Sequence, residues 1–430
     1  MADTLPITHT FPKTSESEWM SLVTAILKGK DFESLIHKSE DGIIKGPLKQ
    51  KQDRPHHLAP MPRKANIFTS DRPWHISAPV EDPDLSYANE RAKEDLLGGA
   101  STLRILTCLT DKTASAERGV TLRNGSDLKR LLSGIHTDLI PLTFAPSRDV
   151  SARLTALESV PDLQKTSINI GLTDTKDDDA IIQTLDSLPK LWRLLTVDTA
   201  SLHDAGASDA LELAFMCAKM TEFMRALGPK RAAQHIIIEM AADQDGHQLI
   251  AKMRAARRLC ARIKESFGLT DTSVEIHAIT SKRMMQSIDP WTNFLRLTSA
   301  IFGAVCGGAD TITARPFTDA IGLPTPFGHR TARNIQLLLM EESQLGQVQD
   351  PAFGSYFHEH LSDAIANIAW TLFQNIETAG GLKAYTQSGA LSTDVAKANT
   401  ARDARDAPIL GVTLHTSDTP RAAKVRAAKS

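Results

Sequence analysis

Short apolar runs alternate with longer stretches of helical periodicity between residues 100 and 380. The predicted strands cover residues 101–107, 138–144, 166–171, 191–198, 235–240, 273–280 and 311–315, with a weaker eighth at 347–350. The predicted helices follow near residues 126–134, 149–157, 177–187, 207–227, 246–267, 290–305, 327–343 and 359–378. Eightfold alternation predicts an α/β fold, a parallel (β/α)8 TIM barrel. A doubly wound open sheet is the alternative, but it usually carries G-x-G-x-x-G after its first strand, and no such string follows residues 101–107.

The helix predicted at 246–267 has two different faces. Leu249, Met253, Cys260 and Ile263 recur at spacings of three and four, which indicates one buried face. A basic run also lies in this helix, and we interpret it as a solvated face rather than a phosphate site; its members are Arg254, Arg257, Arg258, Arg262 and Lys264.

The two ends of the chain lack the barrel pattern. Residues 1–65 are irregular apart from one predicted helix, whose apolar face comprises Trp19, Leu22, Val23 and Ile26. Such a segment cannot bury a core alone, so it is an arm that folds against another surface or an unstructured tail. The predicted organisation is an extended N-terminal arm at 1–65, a barrel at 66–385 and a solvated tail at 386–430.

Composition excludes several classes of function. A formal net charge of −2 gives no reason to expect nucleic acid or a membrane as a partner. No apolar run approaches the ~18 residues of a membrane span, and the N-terminus lacks a secretion signal, so a cytoplasmic location is expected. The cysteines have no metal-binding spacing, and we predict free thiols and no metal site; they are Cys108, Cys217, Cys260 and Cys306.

In a parallel barrel, function gathers where the strands end. This rule nominates a set of polar residues as candidates that face a ligand: His203, Glu239, His277, Thr280, Ser281, Arg283 and Arg315. Each has a structural alternative. Glu239 and Arg315 would also fit an ion pair across the barrel mouth, and His277 would also fit a hydrogen-bonded residue of the barrel lining. Asp204 or Ser208 would also fit a helix cap.

Residues 310–381 carry a long motif in Arg333-Asn334, Glu341-Glu342-Ser343, Asp350-Pro351 and Gly354-Ser355-Tyr356. This stretch closely resembles the final third of the barrel in the methylmalonyl-CoA mutase family. Residues near the N-terminus, such as Asp31-Phe32-Glu33, resemble the arm of the family's small subunits. The resemblance extends over roughly residues 11–380. It implies an acyl-CoA mutase-like barrel and an isomerase complex of propionate metabolism.

The same resemblance indicates that the catalytic residues are lost. Pro79 stands where the family carries a radical-shielding tyrosine, Ser201 at or next to its catalytic histidine, and Ile279 in place of its substrate-binding glutamine. A serine is no general acid at neutral pH, and isoleucine cannot hydrogen-bond an acyl carbonyl. The resemblance therefore implies the non-catalytic small subunit, with the candidates at the strand ends as residual acyl-CoA-facing positions.

The family's cofactor, adenosylcobalamin, is held by a separate domain with the motif D-x-H-x-x-G. The nearest string here begins at Asp245 and has Ile250 where glycine is required, so we interpret Asp245 as a helix cap. The residues after Gly381 are too few for a domain of ~100 residues. We expect no cofactor on this chain and adenosylcobalamin in a partner subunit.

The resemblance also implies a partner, a homologous large catalytic subunit that would form a heterodimer with this chain. The apolar face of the arm helix, Trp19, Leu22, Val23 and Ile26, is the predicted contact. Two alternatives stand beside this interpretation. One is the catalytic barrel of a split mutase with a separate cobalamin-binding chain. The other is a stand-alone acyl-CoA-binding or assembly protein.

Overall fold

A computed structural model describes residues 14–50, 72–107, 118–148, 150–174 and 178–426. Eight parallel strands close into a barrel in sequence order, with the last strand paired to the first. They are β1 (His75–Val80), β2 (Thr102–Ile105), β3 (Leu142–Phe144), β4 (Ile168–Leu172), β5 (Trp192–Asp198), β6 (Ile236–Ala242), β7 (Glu275–Thr280) and β8 (Thr311–Thr313). The predicted (β/α)8 fold is confirmed.

The first strand of the barrel was missed from sequence, and the weak strand predicted at 347–350 is wrong. The missing strand is β1, which contains Pro79, a residue that argues against a strand because it has no N–H. The pairing between β1 and β8 ends at Ser77 with Thr313. Pro79 lies beyond that pair, so its missing N–H removes no hydrogen bond from this part of the sheet.

Helices surround the barrel close to the predicted positions. They are α1 (Glu16–Leu27), α2 (Leu85–Leu97), α3 (Gly125–Leu131), α4 (Ser151–Glu158), α5 (Asp178–Ser187), α6 (Ala200–Asp204), α7 (Asp209–Leu227), α8 (Pro229–His235), α9 (Gly246–Ser266), α10 (Asn293–Cys306), α11 (Pro326–Leu337), α12 (Tyr356–Thr378), α13 (Leu382–Gln387) and α14 (Ala390–Asp403). Ser208 caps α7 and Asp245 caps α9 through their side chains. Within the described residues, no helix combines the length and the apolar character that a membrane crossing requires.

Three of the five residues in the basic run of α9 are buried, namely Arg254, Arg257 and Lys264, so the interpretation as a solvated face is wrong for them; Arg262 is exposed as expected. Arg254 is 1% exposed and binds the carboxylates of Asp350 and Glu359 on the segment that begins α12. Arg257 is equally buried and binds Asp310. A buried guanidinium must be paired, and the two partners of Arg254 lie 96 and 105 residues further along the chain. The ion pairs of Arg254 therefore hold the start of α12 against α9.

The described part of the arm has one anchored piece and one exposed piece. A two-stranded hairpin, His37–Lys38 with Ile44–Lys45, binds the barrel. Asp41 accepts a hydrogen bond from the backbone N–H of Ala210, and Lys45 pairs with Asp245 at 2.8 Å. By contrast, α1 buries none of its residues. The rest of the predicted arm, residues 1–13 and 51–65, lies outside the described residues.

The C-terminal residues are ordered against the barrel, which differs from the expected solvated tail. Arg402 on α14 binds both carboxylate oxygens of Glu40 at 2.7 and 2.8 Å. Arg421 stacks on the ring of Trp291, and Arg426 pairs with Asp82 and covers the ring of Tyr87. The backbone N–H of Arg426 also donates to Leu323. Arg402, Arg421 and Arg426 therefore have partners on the N-terminal hairpin and on the barrel domain.

Candidate functional site

The interior of the barrel contains an ion pair that crosses it. Arg104 on β2 donates two hydrogen bonds to the Glu239 carboxylate on β6, with Nε to Oε2 at 3.1 Å and Nη2 to Oε1 at 2.8 Å. β2 and β6 are four strands apart in a ring of eight, so they face each other. The two side chains are 14% and 3% exposed. This bidentate pair fills the middle of the barrel.

Other polar residues fill the interior around this pair. His277 on β7, the register neighbour of Glu239, lies 2.8 Å from the Thr313 hydroxyl through its Nε2. Burial, and the charge of Arg104 next, lower the pKa of His277 to about 3. A second ion pair joins Arg193 on β5 to Glu275 on β7. His277 is thus a neutral, hydrogen-bonded residue of the barrel lining.

The electrostatics of the Arg104–Glu239 pair follow from its burial. Burial raises the pKa of Glu239, and Arg104 acts in the opposite direction. For Arg104, burial lowers the pKa, but the charge and hydrogen bonds of Glu239 outweigh it and raise the pKa overall. Each charge therefore depends on the other. The alternative pair of Glu239 with Arg315 is not what the structure contains.

Arg315 instead serves the rim of the barrel. Its backbone N–H donates to the Thr280 hydroxyl at 2.8 Å, and its Nε donates to the Thr280 carbonyl at 2.9 Å. Its guanidinium lies 3.8 Å from Asp204 and 3.6 Å from Asp319. Arg315 and Thr280 therefore join the ends of β7 and β8.

His203 on α6 is buried beside the residues that follow β6 and β7. Its ring is fully buried, with Nε2 at 3.0 Å from the Ser281 hydroxyl and 3.3 Å from Asp243. Its Nδ1 lies 3.4 Å from Glu212 on α7. Burial lowers the pKa of His203, but the nearby carboxylates of Asp243 and Glu212 outweigh it and raise the pKa overall. Arg283 completes this network by binding Asp243 and the His203 carbonyl.

One group of side chains in this network has the composition of a metal site. Ligand atoms of His203, Asp209 and Glu212 all lie within 4.8 Å of one another. However, the Lys252 ammonium is 2.8 Å from Glu212 and 3.3 Å from Asp209, and it also donates to the Ala241 carbonyl. The lysine already supplies the positive charge that these carboxylates require. This cluster is a structural ion-pair network.

The three positions that the sequence marks as degenerate lie around the barrel opening. Pro79 is in β1 and Ile279 is in β7, where it is 3% exposed. Ser201 is in the first turn of α6 and is exposed, and its hydroxyl donates to Asp198 at 2.6 Å. Ser201 thus has a local capping partner, and Ile279 presents no polar group.

Sequence reasoning missed four residues that define the interior and its surroundings: Arg104, Glu212, Asp243 and Lys252. A signal for Arg104 existed, because Thr102-Leu103-Arg104-Ile105 alternates polar and apolar residues. The alternation places Arg104 on the face opposite Leu103 and Ile105. Nothing comparable marks Glu212, Asp243 or Lys252, whose partners come from separate elements.

Fold and site together define a (β/α)8 barrel whose interior is closed by its own ion pairs. A family model described as methylmalonyl-CoA mutase matches residues 177–428. The methylmalonyl-CoA mutase small subunit of Streptomyces virginiae is 33% identical over an alignment that covers 92% of this chain and 68% of that protein. The chain belongs to the methylmalonyl-CoA mutase family, and the resemblance to its small subunit is confirmed.

Two other comparisons describe the extent of the similarity. The methylmalonyl-CoA mutase small subunit of Propionibacterium freudenreichii subsp. shermanii is 32% identical, with 88% of this chain and 64% of that protein covered. The chain thus spans about two thirds of the length of these two relatives. Among solved structures, a Xanthomonas albilineans dihydropteroate synthase aligns with a TM-score of 0.40 and 16% identity, over 66% of this chain and 98% of that one.

Proposed function

We propose that this chain is the non-catalytic small subunit of an adenosylcobalamin-dependent methylmalonyl-CoA mutase, located in the cytoplasm. In this role it pairs as a heterodimer with a homologous large subunit, which holds the catalytic residues and the cofactor. The chain alone is inactive. Its contribution to the isomerase is to support the fold and position of the catalytic chain.

The Arg104–Glu239 pair is the observation that carries this proposal. A substrate inside the barrel would have to displace two hydrogen bonds between buried charges. Removing one partner of a buried pair leaves an uncompensated charge, which costs about 3–5 kcal/mol. An acyl-CoA gains nothing comparable from Ile279 or Pro79, which offer no hydrogen-bonding side chain. The barrel therefore favours its own filled interior over a bound substrate.

The candidate residues at the strand ends support the same interpretation. His203 contacts the Ser281 hydroxyl directly and is joined to Arg283 through Asp243, while Arg315 and Thr280 bind at the rim. A catalytic acid or base needs a proton within hydrogen-bond reach of the substrate. The buried ring of His203 points instead to Glu212 and Asp243.

Among the residues that the structure describes, the string nearest to a cobalamin motif does not fit cobalamin. His247 of the string that begins at Asp245 lies in the first turn of α9, where its Nδ1 contacts His358. Ile250 is buried against Cys306 and Ala352. We propose that residues 1–430 bind no cobalamin and that the cofactor resides on the partner. A cobalamin absorption band that travels with the purified chain at one equivalent would contradict this.

The exposed face of α1 supports a partner of the small-subunit kind. Leu22 and Ile26 are 62% and 77% exposed, although they continue the apolar face begun by Trp19 and Val23. Trp19 contacts Phe32 edge-on, at 6.1 Å between ring centroids. The neighbouring hairpin holds this region to the barrel. The helix thus presents an apolar face to a second chain.

Co-purification with a homologous large mutase subunit tests this proposal. We expect the two chains to elute as a one-to-one complex, and removal of residues 1–65 to abolish the complex while circular dichroism retains the barrel signal. The substitutions Leu22→Asp and Ile26→Asp together should weaken association at least tenfold. Leu97→Asp is the matched control, because Leu97 is 91% exposed on α2.

The outcomes separate this proposal from its alternatives. Unchanged association after Leu22→Asp and Ile26→Asp would place the interface elsewhere on the barrel. Turnover of methylmalonyl-CoA by this chain with a separate cobalamin-binding chain would identify a split catalytic barrel. Acyl-CoA binding by the isolated chain, without a mutase partner, would identify an acyl-CoA-binding protein.

A further inference from the structure

Two histidines from different helices meet on the outer surface of the barrel. His247 lies in the first turn of α9 and His358 in the first turn of α12. The distance from His247 Nδ1 to His358 Nε2 is 3.0 Å, and the ring centroids are 5.1 Å apart. His247 is exposed and His358 is partly exposed, so water reaches the pair.

The spacing of these nitrogens fits a shared metal ion. Imidazole nitrogens bind Zn²⁺ at ~2.0–2.1 Å, so two ligands of one ion lie roughly 2.9–3.4 Å apart for angles between square and tetrahedral. The observed 3.0 Å lies within that range. Two facing imidazoles also satisfy a divalent transition metal better than Ca²⁺ or Mg²⁺, which prefer oxygen. Solvent would complete the coordination on the exposed side.

Neighbouring side chains hold both rings in place. The Ser355 hydroxyl lies 2.9 Å from His358 Nδ1, the ring atom that faces away from His247. Metal-binding histidines usually have such a partner for the second nitrogen, which fixes the tautomer. Phe357 packs edge-on against His247, with centroids 5.8 Å apart. The pair is therefore oriented before any ion arrives.

Charge at this place leaves any affinity for a cation to the two imidazoles. Two helix N-termini meet here, and their dipoles disfavour a cation. The nearby carboxylates are already paired, Asp245 with Lys45 and both Asp350 and Glu359 with Arg254.

We propose that His247 and His358 form a two-histidine site for a divalent transition metal such as Zn²⁺. The bound ion joins the first turn of α9 to the first turn of α12. This role is independent of acyl-CoA chemistry. The ion would add a metal crosslink to the ion pairs of Arg254 with Asp350 and Glu359, which hold the same two helices.

Calorimetric titration of the untagged chain with Zn²⁺ tests the site. We expect one ion per chain in the wild type and at least tenfold weaker binding in both His247→Ala and His358→Ala. His360→Ala is the matched control on α12, because residues two apart on a helix do not face each other; it should bind like the wild type.

A second readout separates binding from folding. Zn²⁺ should raise the thermal midpoint of the wild type and of His360→Ala, since a ligand that binds only the folded state stabilises it. It should leave the midpoints of His247→Ala and His358→Ala unchanged. No binding by the wild type would overturn the proposal. Equal binding by wild type and both variants would do the same, because the two rings would then form only a hydrogen bond.

Discussion

Arg104 and Glu239 are joined across the full width of the barrel by two hydrogen bonds of 3.1 and 2.8 Å. Their strands are not neighbours in the sheet, because three strands separate β2 from β6 on each side of the ring. The pair makes the interior a packed polar core. The pair also occupies the space in which a barrel enzyme would hold a substrate.

Breaking this pair on one side should destabilise the protein strongly. We expect Glu239→Gln to lower the free energy of unfolding by about 3–5 kcal/mol, because it removes the hydrogen-bonded counterion of the buried Arg104. The double replacement Arg104→Met with Glu239→Leu should recover most of that loss. Urea denaturation of the single and double variants measures the coupling. A single variant as stable as the wild type would mean that the pair is solvated.

His277 should make the protein sensitive to acid. Its folded pKa is about 3, whereas the unfolded value is near 6.5. Between these values the unfolded chain binds a proton that the folded chain does not. Stability is therefore lost as the pH falls through this window, by up to about 1.4 kcal/mol per pH unit. His277→Gln should show a smaller loss between about pH 7 and pH 5. Parallel pH profiles for the two proteins would contradict this assignment.

Asp41 should make the stability of the protein depend on pH in the opposite direction. Burial raises its pKa from 3.8 to about 6, so the charged carboxylate at pH 7 disfavours docking of the hairpin. Stability from this group increases as the pH falls from about 6 to 3.8. We expect Asp41→Asn to strengthen hairpin docking by about 3 kcal/mol at neutral pH. It should have little effect at about pH 4.

Hydrogen exchange of the backbone amides at residues 37–45 measures this docking locally. Asp41→Ala is the control, because it removes the acceptor for the Ala210 N–H that asparagine retains. Faster exchange in Asp41→Asn than in the wild type at neutral pH would show that the charge is stabilising.

Arg402 should determine how firmly the C-terminal segment binds the barrel. It contributes two hydrogen bonds to Glu40 and one to the Gly206 carbonyl. Arg402→Ala leaves Glu40 with Arg405 alone. We expect faster proteolysis of residues 404–426 in this variant, with the barrel intact on a gel. Lys397→Ala is the control, because Lys397 pairs only locally with Asp394. Equal cleavage of both variants would indicate that the segment is held elsewhere.

The strands and helices were largely predictable because each obeys a local period. The apolar stripe of α9 and the cap at Asp245 follow from spacing alone. Strand β1 was not predicted because it contains Pro79, a residue that argues against a strand. The proline is tolerated because the last residues of β1 do not pair with β8. In such a strand, the hydrogen-bond register decides whether proline fits, and the sequence does not contain the register.

The interior and the surface contacts were less predictable because their partners are distant in sequence. Arg254 looks like a solvated residue until Asp350 and Glu359 are placed beside it. Arg402 and Arg426 likewise look like tail residues until Glu40 and Asp82 are seen. A charge pattern on one helix gives no information on which carboxylates the fold brings to it.

The stoichiometry of acyl-CoA binding tests the central claim most directly. Equilibrium dialysis of labelled methylmalonyl-CoA against a purified complex of this chain with the proposed large subunit counts the sites. We expect one bound acyl-CoA per two barrels, because Arg104 and Glu239 close this one. Two bound molecules per complex, with the second lost on substitution within this barrel, would contradict it.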